Sequence, residues 1–172
     1  MTRILGIDPG SRFTGYGVID TEGNSSVHVA SGCIKVTGNS LPEKLGVIFN
    51  AITRLIGEHQ PAQFAIENVF MHRNADSALK LGQARGAAIC AAVTQNIPVM
   101  EYAPREIKKA VVGKGGADKQ QVQHMVRILL NRRLPLQADE ADGLAIALCH
   151  AHLQQAISRV PATSRIRGGR LR

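Results

Sequence analysis

Arg3-Ile4-Leu5-Gly6-Ile7-Asp8-Pro9-Gly10-Ser11 is the stretch on which the reading of this chain turns. An apolar run ends on a carboxylate, and Pro-Gly-Ser then stops it. That pattern predicts a short strand over 3–8 followed by a turn. Outward from it, 15–20 and 27–36 continue as strands, with Glu22-Gly23-Asn24 as the turn between them. The first 36 residues therefore read as a three-stranded meander. A second apolar run, Phe64-Ala65-Ile66, also ends on a carboxylate, Glu67, and predicts a buried strand over 63–67.

Helices fill the intervals. Ser40-Leu41-Pro42-Glu43 resembles a capping box with proline in the first turn. Leu45, Ile48, Phe49, Ile52, Leu55 and Ile56 then recur at spacings of three and four, and Pro61 ends the helix. Asn74 can cap a helix running to about Gln95. Its small residues, Ala75, Ala78, Gly82, Gly86 and Ala87, permit close approach to a sheet or to a second helix. A fifth strand is expected over 98–102 and a short helix over 103–112. A helix capped by Asp118 and a last helix over 139–157 follow. Three consecutive strands followed by alternating helix and strand imply an α/β fold, a five-stranded mixed sheet with helices on both faces. Residues 1–157 read as one domain and 158–172 as a basic tail without periodicity.

Composition narrows the function. A chain of 172 residues with 44% hydrophobic residues can bury a core and is not disordered. No signal pattern opens it, and no apolar run reaches the length of a membrane span, so no membrane partner is expected. Cys33, Cys90 and Cys149 lie too far apart for a zinc pattern and are odd in number, which fits a reducing cytoplasm. The net charge of +8 favours polyanionic partners. Five arginines from position 158 onward supply most of it, leaving about +3 for the body. Tryptophan is absent and aromatic residues are 3% of the chain, which argues against a platform for stacking single-stranded bases.

Against that basic background, four of the thirteen acids stand in unusual places. Asp8 and Glu67 end apolar strands. Asp139 and Asp142 are three apart on one helix and share a face, which Ile146 and Cys149 extend inward. Buried carboxylates are costly unless paired or metal-bound. Converging, they would repel one another, and hard divalent cations with their preference for oxygen would relieve the repulsion. Each acid also has an ordinary reading: Asp8 as a turn residue, Glu67 as an ion-pair partner, Asp139 as a helix cap, Asp142 as a surface acid. Spacing alone does not bring the four together.

Several stretches resemble the RuvC resolvases, nucleases that cut four-way DNA junctions. They are Gly6-Ile7-Asp8-Pro9-Gly10-Ser11 with Thr14-Gly15-Tyr16-Gly17, and Ala65-Ile66-Glu67 with Val69-Phe70-Met71. The long run from Asn74-Ala75-Asp76-Ser77 to Gln83-Ala84-Arg85-Gly86 is the most specific. Gln121-Val122-Gln123-His124-Met125-Val126-Arg127 and Gln137-Ala138-Asp139-Glu140-Ala141-Asp142 complete the resemblance, which covers residues 4 to about 152 in order.

The resemblance implies a ribonuclease H-like fold and a homodimer built partly by the helix that begins at Asn74. It implies a cut leaving 5′-phosphate and 3′-hydroxyl ends, made with two Mg²⁺ ions for which Mn²⁺ substitutes. Asp8, Glu67, Asp139 and Asp142 become the catalytic and metal-binding set. Lys108 and Lys119 become phosphate contacts, and Phe70 a base contact at the crossover. Lys114, Arg73, Lys80, Arg85, Arg105 and Lys109 are further candidates for the DNA backbone. The implied partners are four-way junction DNA and the RuvA and RuvB branch-migration proteins. Three rival readings fit less well. A phosphotransferase of the actin and sugar-kinase type needs two such domains and a different phosphate loop than Gly113-Lys114-Gly115-Gly116. A nuclease of ribosomal RNA with the same fold lacks the long match at 74–86. An architectural junction binder has no use for the acids.

Overall fold

The computed structural model describes residues 1–69, 75–132 and 135–159. Three strands come first: β1 (Thr2–Asp8), β2 (Phe13–Glu22) and β3 (Ser25–Lys35). They are followed by α1 (Leu41–His59), β4 (Gln63–Glu67), α2 (Ala75–Val93) and β5 (Val99–Tyr102). The helices α3 (Pro104–Val112), α4 (Lys119–Leu129) and α5 (Ala138–Ser158) complete the described chain. One sheet has the order β3-β2-β1-β4-β5. β1 runs antiparallel to β2 and parallel to β4, which is parallel to β5. The mixed sheet expected from the sequence is thus present, with β1 at its centre.

Alternation along the strands divides the core in two. Ile4, Ile19 and Ala65 pack toward α3, α4 and α5. Leu5, Ile7, Val18, Phe64 and Ile66 pack toward α1 and α2. Because helices cover both faces, β1 and β4 are apolar on both sides, which explains their continuous hydrophobic runs. β2 and β3 extend further than the sequence suggests, to a turn of only Gly23 and Asn24. Gly23 adopts φ 54°, a left-handed conformation that glycine tolerates. A bulge between Val18 and Ile19 shifts the β2–β3 register by one residue.

Ser40 caps α1 as expected, accepting from the Glu43 amide at 3.4 Å. Glu43 reaches back to the Asn39 amide at 2.8 Å and accepts from the Ser40 hydroxyl at 3.0 Å. α2 buries Ala84, Ala88, Ala91 and Ala92 against α1 and the sheet. Gly82 is exposed, and a methyl group at Gly82 or Gly86 would meet nothing within 4 Å. The glycines singled out in the sequence therefore face away from the protein's own sheet. Asn74, the expected cap, lies outside the described residues.

The last helix lies closest to the sheet. A Cβ at Gly6 would sit 2.3 Å from the Gly143 carbonyl oxygen, and one at Gly17 would sit 2.5 Å from the Leu144 amide nitrogen. One at Gly143 would sit 2.5 Å from the Tyr16 carbonyl carbon. Glycine on both sides of this contact is what lets α5 rest directly on β1 and β2. His150, fully buried on α5, is held at both ring nitrogens. The Tyr102 hydroxyl donates to Nδ1 at 2.6 Å, and Nε2–H donates to Gln63 Oε1 at 2.8 Å. Burial lowers the pKa of His150, so the ring is neutral, with one donor and one acceptor for its two partners.

Candidate active site

β1 and β4 are parallel neighbours, with Ile7 opposite Ile66, so their terminal carboxylates, Asp8 and Glu67, emerge side by side. α5 crosses above them and adds Asp142. These three acids share a cleft of about 150 Å³ with Lys108 from α3 and Lys119 from the start of α4. Ile107, Val122 and Ala145 form apolar parts of its wall.

The electrostatics record the crowding. Burial, then the charges of Glu67 and Asp142, push the Asp8 carboxyl up to about 8. Glu67 is also raised, by burial first, while its hydrogen bond with Asp8 and the two lysines act in the opposite direction. Both carboxyls of the pair are thus shifted upward, with burial the first cause for each. Asp142 accepts from Lys119 Nζ at 3.3 Å, and its charge is the main reason the Lys119 pKa is raised. The lysine head is largely solvated, so this pair adds little to stability.

Asp139 sits one turn before Asp142 but stands apart from that cleft. Gln137, not Asp139, takes the N-cap position of α5. A Cβ at Gly15 would lie 2.1 Å from the Asp139 carbonyl oxygen, so the first turn of α5 is pressed onto β2. The Asp139 carboxylate accepts from the Cys33 thiol at 3.3 Å. Burial and that carboxylate push the thiol up to about 11, so Cys33 is a neutral donor at physiological pH. Asp139 remains near enough for its charge to raise the Lys119 pKa.

Among the described residues, no three His, Cys, Asp or Glu side chains stand so that they could hold a metal ion. Asp142 faces Lys119, and Asp139 faces Cys33. The donor chemistry nevertheless fits a hard divalent cation. All four acids offer oxygen, and the raised Asp8 pKa reflects burial first and neighbouring negative charge second, both of which a bound cation would offset.

The structure thus brings Asp8, Glu67, Asp142, Lys108 and Lys119 together and sets Asp139 at the edge of the group. Phe70 and Arg73 lie outside the described residues. Arg85 is not free for DNA: it donates to the Glu67 carbonyl at 3.2 Å and to Asn68 Oδ1 at 2.9 Å, and it pairs with Glu101. It fixes the end of β4 and so positions Glu67. Sequence reasoning missed this role, and it also missed Cys33 and the glycines beneath α5. Of these, only the glycines left a signal, as Gly15 and Gly17 alternate in an otherwise apolar strand.

The family model described as crossover junction endodeoxyribonuclease RuvC matches residues 4–150. A protein of that name from Marinobacter nauticus is 56% identical, over 100% of this chain and 99% of its own length. One from Methylococcus capsulatus is 58% identical, over 93% of this chain and 96% of its own. The solved structure of T. thermophilus RuvC in complex with Holliday junction substrate superposes with a TM-score of 0.86 at 32% identity, covering 92% of this chain and 98% of that one. The yeast mitochondrial Holliday junction resolvase Ydc2 shares the fold, with a TM-score of 0.62 at 14% identity. The five-stranded mixed sheet flanked by helices is the ribonuclease H-like fold. With a family model spanning nearly all of the folded residues and relatives aligned from end to end, the chain belongs to the RuvC family of crossover junction endodeoxyribonucleases.

Proposed function

We propose that this protein resolves four-way DNA junctions by paired, symmetric nicks during recombination and repair, with divalent metal ions held by Asp8, Glu67, Asp139 and Asp142. The observation that carries this reading is the cleft in which acids from β1, β4 and α5 meet two lysines. Family membership supports the substrate. Two Mg²⁺ ions suit the donor set, with Mn²⁺ as substitute. Ions bound there supply an activated water and charge stabilisation for the departing 3′ oxygen.

The protein's own residues do the rest. Asp8, Glu67 and Asp142 would hold the ions as ionised carboxylates, Asp142 in place of its contact with Lys119. Lys119, released, and Lys108 hold the scissile phosphate from the α3–α4 side. Asp139 enters from the Cys33 side and completes the set. Phe70 follows Glu67 by three residues and contacts bases at the crossover. A homodimer formed through the outer face of α2 presents two equivalent sites to a junction of approximate two-fold symmetry. That face carries Leu79 and Val93, both exposed, with Gly82 between them. RuvA and RuvB are the proposed protein partners, and the cytoplasm the place of action. No described helix is long and apolar enough to cross a membrane.

The test is cleavage of a synthetic junction with a mobile homologous core in Mg²⁺, with linear duplex and Asp8→Asn as controls. Paired nicks in the junction alone, lost in the variant while junction binding persists, are the expected result. Binding without cutting in both Mg²⁺ and Mn²⁺ would leave an architectural protein instead.

A further inference from the structure

A second cleft flanks the end of β1 on the opposite face of the sheet. It encloses about 360 Å³ between the β1–β2 turn, the start of α1 and the first half of α2. Arg12, Lys44 and Lys80 converge on it above an apolar floor that includes Val36 and Ile48. No carboxylate lines it among the described residues. Three cations around one concavity repel one another and are best relieved by an anion.

The site is built rather than incidental. The turn that carries Arg12 is fixed at both ends. The buried Thr14 hydroxyl donates to the Gly10 carbonyl at 3.1 Å and accepts from the Gly10 amide at 3.2 Å. The Arg12 carbonyl accepts from the Val36 amide at 2.9 Å. The cap made by Ser40 and Glu43 already occupies the start of α1, so side-chain charge, not the helix end, makes this cleft attractive to anions. Lys80 pairs with Asp76 at 2.7 Å, but both are exposed, and such a pair exchanges readily for a stronger anion.

We propose that this cleft binds a backbone phosphate of a DNA strand other than the one being cut. The inference rests on the junction-nuclease reading and deepens it. Asp8 and Arg12 are four residues apart on one fixed turn. The carboxylate cleft is walled by α3, α4 and α5 and the basic cleft by α1 and α2, on opposite faces of the sheet. DNA at the acids therefore passes the end of β1, and a neighbouring strand is within reach of the second cleft. A duplex has one other strand to offer there, whereas a junction has three.

The test measures binding to an intact junction across a salt series without divalent metal, for the full chain and for the Arg12→Gln/Lys44→Gln double variant. Arg54→Gln, on the far half of α1, is the control. Removing one lysine or arginine from a phosphate flattens the slope of log affinity against log salt by about 0.9. The double variant is expected to bind about tenfold more weakly at moderate salt, with a slope shallower by about 1–2, while the control matches the parent. Parallel salt lines for parent and double variant would overturn the proposal. Loss of inorganic phosphate binding with an unchanged junction slope would also overturn it, since the cleft would then serve free anions. Failure of the parent to cut junctions in Mg²⁺ would sink the functional reading instead, and the binding slopes register that case separately.

Discussion

Cys33 gives Asp139 a hydrogen-bond donor without giving it a countercharge. The carboxylate is thereby oriented, which is what a residue one step behind a metal ligand does if Asp139 is one, as proposed. Cys33→Ala is expected to weaken the apparent Mg²⁺ affinity of cutting about tenfold, and Cys33→Ser, which keeps a donor, to restore most of it. Equal metal titrations for all three proteins would mean that the thiol merely packs. Asp8 and Glu67 were legible in the sequence because each ends an apolar run, and Asp139 and Asp142 because they stand three apart on one helix face. Cys33 was not, and the bulge explains why. Counted from the Gly23-Asn24 turn, a regular hairpin would set Gly32 opposite Gly15. The shift at Val18 and Ile19 puts Cys33 there, on the face that meets α5. One extra residue decides which side chain meets the acid, and local patterning does not reveal it.

At the level of elements, α5 is placed by what its neighbours lack. Gly6, Gly15 and Gly17 clear the space into which its first three turns settle, and Gly143 clears space in return. In an isolated helix Gly143→Ala would gain about 1 kcal/mol. Here the new methyl would meet the Tyr16 and Gly17 backbone at 2.5–2.7 Å, which cannot rotate aside. Overpacking of this kind costs about 1–3 kcal/mol, so the substitution is expected to destabilise on balance. It should also move Asp142 off Asp8. Urea unfolding and junction cutting, measured together, test both effects; a stabilised and fully active variant would contradict this account. The element order was readable because the strands are short, apolar and punctuated. The orientation of α2 was not, because a helix of small residues has little amphipathic contrast. Its buried side proved to be Ala84, Ala88, Ala91 and Ala92, with glycines outward.

For the whole molecule, the exposed glycine face of α2 and the exposed Leu79 and Val93 leave an apolar surface at the edge of a basic protein. Gly82→Arg starts from a Cβ position with no atom of the described residues within 4 Å, and arginine favours a helix over glycine. For the proposed dimer, sedimentation is expected to show half the parent mass with the circular-dichroism spectrum retained, and junctions should be nicked once rather than cut in concert. A parent that sediments as a monomer, or a variant of unchanged mass, would contradict a dimer through this face. Charge alone did not place the candidate DNA contacts, because composition has no geometry. Only the folded sheet separates a lysine pair on one side of β1 from the basic cleft on the other. The position of α5 in the chain carries one last consequence. Asp8 leaves the ribosome early and Glu67 midway, but the helix bearing Asp139 and Asp142 is the last element of the described fold to be made. From Glu67 to the start of α5, a nascent chain therefore carries two acid-bearing strand ends without the helix that lies over them. Connectivity by itself thus withholds two of the four acids until the last element of the described fold is made.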